Sequence, residues 1–207
     1  MIPTGDYERF EHEIASVYRD YDIPITYGIL IADMRQPSCA EHIVNYLNRF
    51  HRLSNKYFDF FIPGYSFHGY RNGKKLDSCI DGKSLFFSDE LFDEFVRKIE
   101  EILDIKYTYN PMLVLVEKQP NQKPNKDDKK IIIELDNVPG GVQRSGMLFE
   151  EIFDIAKEHV DIGEYSRELT KTYIKDHILD EFVKCIDKKG LSILHSFNKW
   201  TRIYRIR

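Results

Sequence analysis

The stretch Ile25-Thr26-Tyr27-Gly28-Ile29-Leu30-Ile31-Ala32-Asp33 decides how this chain is read. It is apolar almost without interruption and ends in an acid. A strand exposed on one face alternates polar and apolar residues, whereas one buried on both faces does not. The run therefore predicts a strand inside a sheet with both faces covered, as parallel sheets have. Pro24 precedes it and separates it from a helical stripe over 7–21, carried by Tyr7, Phe10, Ile14, Val17 and Tyr18 at three- and four-residue steps.

Downstream, the same alternation of strand and helix repeats. Ser38 and Glu41 have the spacing of a capping box after Pro37, and Ala40, Ile43, Val44, Leu47 and Phe50 form one helical face behind it. A second strand is predicted over 57–62, stopped by Pro63-Gly64. Residues 65–83 are irregular and read as a loop or small hairpin, with Arg71-Asn72-Gly73-Lys74 as a turn. Ser88 caps a helix with Asp89 and Glu90 in its first turn and Leu91, Phe92, Phe95, Val96, Ile99 and Leu103 as its core stripe. Strands follow over 112–116 and 130–136, joined by a polar loop, then helices over 145–159 and 166–187, the second ended by Lys188-Lys189-Gly190. This pattern predicts a single α/β domain over 1–207, with 160–207 as a helical C-terminal extension. The sheet is expected to be mainly parallel and flanked by helices in three layers, flavodoxin-like or TIR-like.

Composition narrows the function classes. With 42% apolar and 31% charged residues the chain has the balance of a folded globular protein. A net charge of −4 makes no attractive field for nucleic acid, which is not expected as the main ligand. Trp200 and Tyr204 among Lys199, Arg202, Arg205 and Arg207 read as a solvated basic edge rather than a strand-gripping surface. Cys39, Cys79 and Cys185 lack the spacing of a disulfide framework or zinc knuckle. No apolar run approaches the ~18 residues of a membrane span, and no basic leader precedes an apolar one, so a cytoplasmic protein without a membrane partner is expected. The seven histidines form no HExxH pair, so no metal is expected, and no P-loop, GxGxxG or GxSxG motif calls for a cofactor.

In open α/β sheets, ligands bind beyond the carboxyl ends of the strands. That rule selects Asp33 and Arg35 after the first strand, Tyr65 after the second, and Asp136 to Ser145 after the last. Asp33 and Asp136 read equally well as turn or helix caps. The aromatics Tyr65, Phe67 and Tyr70 suit ligand stacking, partner anchoring or plain loop packing alike. Glu150 and Glu151 stand one turn into the helix that Ser145-Gly146 opens, about 100° apart on its surface.

The segment Ser145-Gly146-Met147-Leu148-Phe149-Glu150, after a strand ending in Leu135-Asp136, resembles the serine-glycine-to-glutamate segment of nucleoside 2-deoxyribosyltransferases. The spacing from Ser145 to Glu151 is similar to that of the related TIR fold, which cleaves the glycosidic bond of NAD. The resemblance implies an enzyme acting on a nucleoside, nucleotide or NAD at that bond. Glu150 would be its carboxylate, or Glu151 in the TIR register. Asp33 and Asp136 would bind ribose hydroxyls, and Tyr65 or Phe67 would stack on the base. The alternative is a non-catalytic module that senses a nucleotide-like ligand, or docks on a protein partner or a second copy of itself.

Overall fold

The computed structural model describes residues 1–17, 25–54, 59–69, 72–119, 122–137, 141–147 and 149–150. Its main sheet has five strands: β1 (Ile2–Gly5), β2 (Ile25–Ile31), β3 (Phe60–Pro63), β7 (Met112–Lys118) and β8 (Lys129–Glu134), in the order β1-β3-β2-β7-β8. A second sheet is built from β4 (Tyr65–Ser66), β5 (Lys74–Ile80) and β6 (Lys83–Phe87), all antiparallel, in the order β4-β6-β5.

The apolar run over 25–33 is the centre of the main sheet. Tyr27, Ile29, Leu30 and Ile31 are fully buried, as is every residue from Leu113 to Val116 in β7. Alternation assigns the faces. Phe61 and Tyr27 meet Phe10 of α1 (Tyr7–Val17), with ring centroids 5.0 and 5.9 Å away, and Phe10 meets Phe95 of α4 (Asp89–Leu103) at 5.2 Å. Phe60 points to the other face, where Phe149 bridges it to Phe50 of α3 (Leu47–Ser54).

The expectation of a mainly parallel, flavodoxin-like or TIR-like sheet is corrected. Only β1 and β2 run parallel to β3; β7 runs antiparallel to β2, and β8 antiparallel to β7. The cause lies between α4 and β7. α4 starts beside the carboxyl end of β3, where the Ser88 amide donates to the Gly64 carbonyl at 2.9 Å. Its last carbonyls lie at the opposite edge, where Leu103 accepts from the Lys130 ammonium. Residues 104–111 then travel back, with Ile105 and Tyr107 buried and Lys106 and Thr108 exposed. That return brings Met112 opposite Ile31, so β7 enters the sheet from the end where β2 leaves it. An unbroken apolar strand reports burial on both faces, not direction.

Local signals held in part. Ser88 caps α4 by accepting from the Leu91 amide at 3.4 Å, and all six residues of the expected stripe are buried. Ser38 is not a cap: α2 (Pro37–His42) begins after Gln36, which makes no side-chain cap bond, and a 3₁₀ turn at Val44–Tyr46 separates it from α3. The hairpin in the 65–83 region turns at Asp81-Gly82, both with positive φ, the pair that a tight hairpin turn requires. The predicted helix over 166–187, the tail over 191–207, Glu151 and Cys185 lie outside the described residues, as does most of the 145–159 helix.

Asp104 ends α4 in the left-handed region, at φ 49° and ψ 52°. A side chain there costs about 1 kcal/mol that glycine does not. Asp104→Gly is expected to raise unfolding stability by up to about 1 kcal/mol, read as a higher urea midpoint at unchanged slope. A lower midpoint would show that the Asp104 side chain contributes more than its backbone costs.

Candidate functional site

Two of the strands that end at the Ile31 edge, β2 and β3, are parallel neighbours, and β8 ends there too because Glu134 pairs with Met112. Antiparallel β7 starts at the same edge. The loops after β2, β3 and β8 and the return segment 104–111 therefore converge on it.

Asp33, just past β2, is buried, and its carboxylate is held by Arg35 through both backbone and side chain. It accepts the Arg35 backbone amide at 2.9 Å and the Arg35 guanidinium through Nε at 2.8 Å and Nη2 at 2.8 Å. The same guanidinium reaches across to Asp93 of α4 at 2.6 and 3.0 Å and lies 5.5 Å above the Phe92 ring. The hydrogen bonds that Arg35 donates to Asp93 and then to Asp33 raise its pKa further, so it is a fixed cation. Behind this clamp, burial and then the Asp33 charge push the Cys39 thiol up to about 12, which keeps it protonated and unreactive at neutral pH. Tyr65 is fully buried and donates its hydroxyl to the Ala32 carbonyl at 2.8 Å, which makes it a brace between β4 and the end of β2.

The return segment supplies the aromatic groups. Phe92, Tyr107 and Tyr109 form a row, with centroids 6.1 and 5.6 Å apart, that runs from the core to the surface. Tyr109 is 76% exposed and sits at φ 63°, a conformation bulky residues rarely adopt. Its carbonyl accepts from the side chain of Gln36, the residue that follows Arg35. The neighbouring Thr108 hydroxyl donates to Glu134 at 3.2 Å, and Leu135 donates its amide to the Pro111 carbonyl at 2.8 Å. The Tyr107 hydroxyl is buried with no hydrogen-bond partner among the described residues, and burial followed by the Asp33 charge raises its pKa.

The expected site residues thus separate into two groups. Asp33, Arg35 and Tyr65 meet at one edge, and Asp136, exposed just past β8, acts electrostatically on Cys39 there. Tyr65 is buried as a brace and offers no ring face for stacking. Ser145 is fully buried and donates to the His42 carbonyl at 3.1 Å, which ties its segment to the end of α2. Glu150 is not brought to the edge. It pairs with Arg49 of α3, and its neighbour Phe149 packs against Phe60, which stands opposite Gly28 in the sheet. Gly28 lies about 16 Å along β2 from Asp33 at ~3.3 Å per residue.

No protein-family description, curated protein or solved structure matches this chain. The reading of the edge therefore rests on its own chemistry. Among the described residues no three His, Cys, Asp or Glu side chains converge to hold a metal ion. Among the same residues no helix is long and apolar enough to cross a membrane.

Sequence reasoning passed over Asp93, Cys39, Tyr107 and Tyr109. Asp93 left no signal, being one acid on the polar side of an amphipathic helix, 58 residues from Arg35. Tyr107-Thr108-Tyr109 did leave one: two aromatics spaced by two stand just before Asn110-Pro111, where the residue ahead of proline is biased away from helix.

Proposed function

We propose that this chain is a non-catalytic module that binds a planar, nucleotide-like small molecule at the edge formed by Asp33, Arg35, Tyr109 and Asp136. The observation that carries the reading is Tyr109, a large exposed ring held in a strained backbone conformation by Gln36 and backed by Tyr107. Strain of this kind costs about 1–3 kcal/mol and clusters where ligands are gripped. A ring presented this way stacks on a planar ligand. Asp136, exposed beside the same segment, is placed to accept hydrogen bonds from ligand hydroxyls.

Binding without turnover suits the groups present. A nucleophile or general base needs an activated atom, yet the Asp33 carboxylate is engaged by Arg35 and the Cys39 thiol is protonated. Glycosidic cleavage through Glu150 would require that carboxylate to leave Arg49 and act far from the edge. An exposed free thiol at Cys79 suits a reducing compartment, which favours a cytoplasmic setting.

Thermal-shift and calorimetric titration with a panel of nucleosides, free bases and nucleotides tests this reading. At least one planar compound is expected to bind, with Tyr109→Ala weakening it about tenfold or more, the scale of one lost stacking contact. No bound compound in the panel, or equal binding by the Tyr109→Ala protein, would overturn it. Release of free base that Glu150→Gln abolishes would return the chain to the glycosidic reading.

A further inference from the structure

We infer that two copies of this chain pair through the outer edge of β5, antiparallel about a two-fold axis at Leu76, so that their small sheets become one. The starting observation is an open edge. β5 ends the order β4-β6-β5 and is bonded to β6 alone. Among the described residues no backbone hydrogen bond from outside β6 reaches 74–80. Helix α3 holds the hairpin by its tip, where His51 and Asn48 meet Asp81 just past the end of β5.

The side chains of this edge say which strand fits it. Burial alternates along β5, with Leu76 and Ile80 buried and Lys75, Asp77 and Cys79 exposed. Lys75 pairs with Phe86 and Cys79 with Ser84, so residues 76–78 bulge opposite Leu85 while the alternation is kept. Lysines and a bulge are the usual defence of an edge against indiscriminate pairing. They leave room for an identical strand in one register. A two-fold interface is self-complementary, and an axis perpendicular to the sheet sets one residue opposite its own copy. Lys75 on the axis would bring two lysines together, and Asp77 two carboxylates, both repulsive. With Leu76 on the axis the two leucines face each other, each Lys75 lies opposite Asp77 of the second copy, and both pairs attract. Neither charge is committed elsewhere. Lys75 and Asp77 make no ion pair among the described residues, whereas the adjacent Lys74 is held by Asp89 at 3.3 Å. One strand on each side makes a small contact, which places the dimer among weak, concentration-dependent ones.

Sedimentation equilibrium of the full chain, from micromolar to millimolar concentration, tests this inference. A reversible monomer–dimer equilibrium is expected, weakening as salt rises. Asp77→Lys and Lys75→Asp each replace two attractive pairs by two repulsive ones, so each variant alone should dimerise about tenfold or more weakly. Mixed in equal amounts, the two variants should associate again, because each strand then meets its opposite charge. Both positions are exposed, so circular dichroism of the variants is expected to match wild type. A wild-type chain that stays monomeric throughout, dimers indifferent to Asp77→Lys, or a mixture no heavier than its separate components would each overturn the inference. Dimerisation unaffected by Tyr109→Ala keeps this outcome separate from that of the ligand reading.

Discussion

Gly64→Ala is expected to destabilise the fold by about 2–5 kcal/mol, the sum of a left-handed backbone penalty and a packing clash. Gly64 sits at φ 79°, in the region that L side chains rarely adopt. A methyl group there would lie 2.6 Å from Phe92 Cβ and 3.1 Å from Phe92 Cα, so part of the collision is with backbone that cannot rotate away. The position is also a junction. Its amide donates to the Gly5 carbonyl at 3.0 Å, and its carbonyl accepts from Ser88 at 2.9 Å, which links β1, the end of β3 and the start of α4. Domains of this size hold roughly 5–15 kcal/mol in total, so this single methyl consumes a large share. Chemical denaturation with the slope held equal measures the loss. A variant within 1 kcal/mol of wild type would mean that the Gly64 turn is not formed as described.

Phe149→Ala should cost about 3–5 kcal/mol, whereas its neighbour Glu150→Gln should cost under about 1 kcal/mol. Phe149 is fully buried, 4.2 Å from the Phe50 ring centroid and 6.1 Å from that of Phe60, so truncation leaves a cavity between α3 and the sheet. Glu150 shares an ion pair with Arg49 in which both side chains are well exposed, 40% and 61%, and exposed pairs contribute little. Thermal melts of the two variants side by side check the contrast. A large loss for Glu150→Gln would show that the Arg49 pair holds the segment in place. The contrast also bears on function, because it assigns the serine-glycine-to-glutamate stretch a packing role through its phenylalanine.

Much of the local structure was legible beforehand. The core positions of α4 and its Ser88 cap follow from spacing and from the chemistry of one hydroxyl. Asp33, Arg35 and Tyr65 were selected by one rule about strand ends, and they do meet. The capping box at Ser38 failed because Gln36 and Pro37 start the helix earlier and a 3₁₀ turn interrupts it after Ile43. The Asp81-Gly82 turn was available as a hairpin signal but was masked by the irregular spacing around it.

From sequence alone came what each segment buries. The runs over 25–33 and 112–116 had to be interior strands, and Phe92, Phe95 and Ile99 had to face a core, because hydrophobic periodicity is a property of a few neighbouring residues. Only the tertiary structure decided the direction of β7, the convergence of Arg35 with Asp93, and the exposure of Tyr109. The first and last depend on the path of residues 104–111 across the sheet, and the Arg35–Asp93 pair on α4 starting beside the end of β3; all are set by contacts between positions far apart in the chain. Burial is written residue by residue; direction and convergence are written in the connections, where periodicity carries no signal.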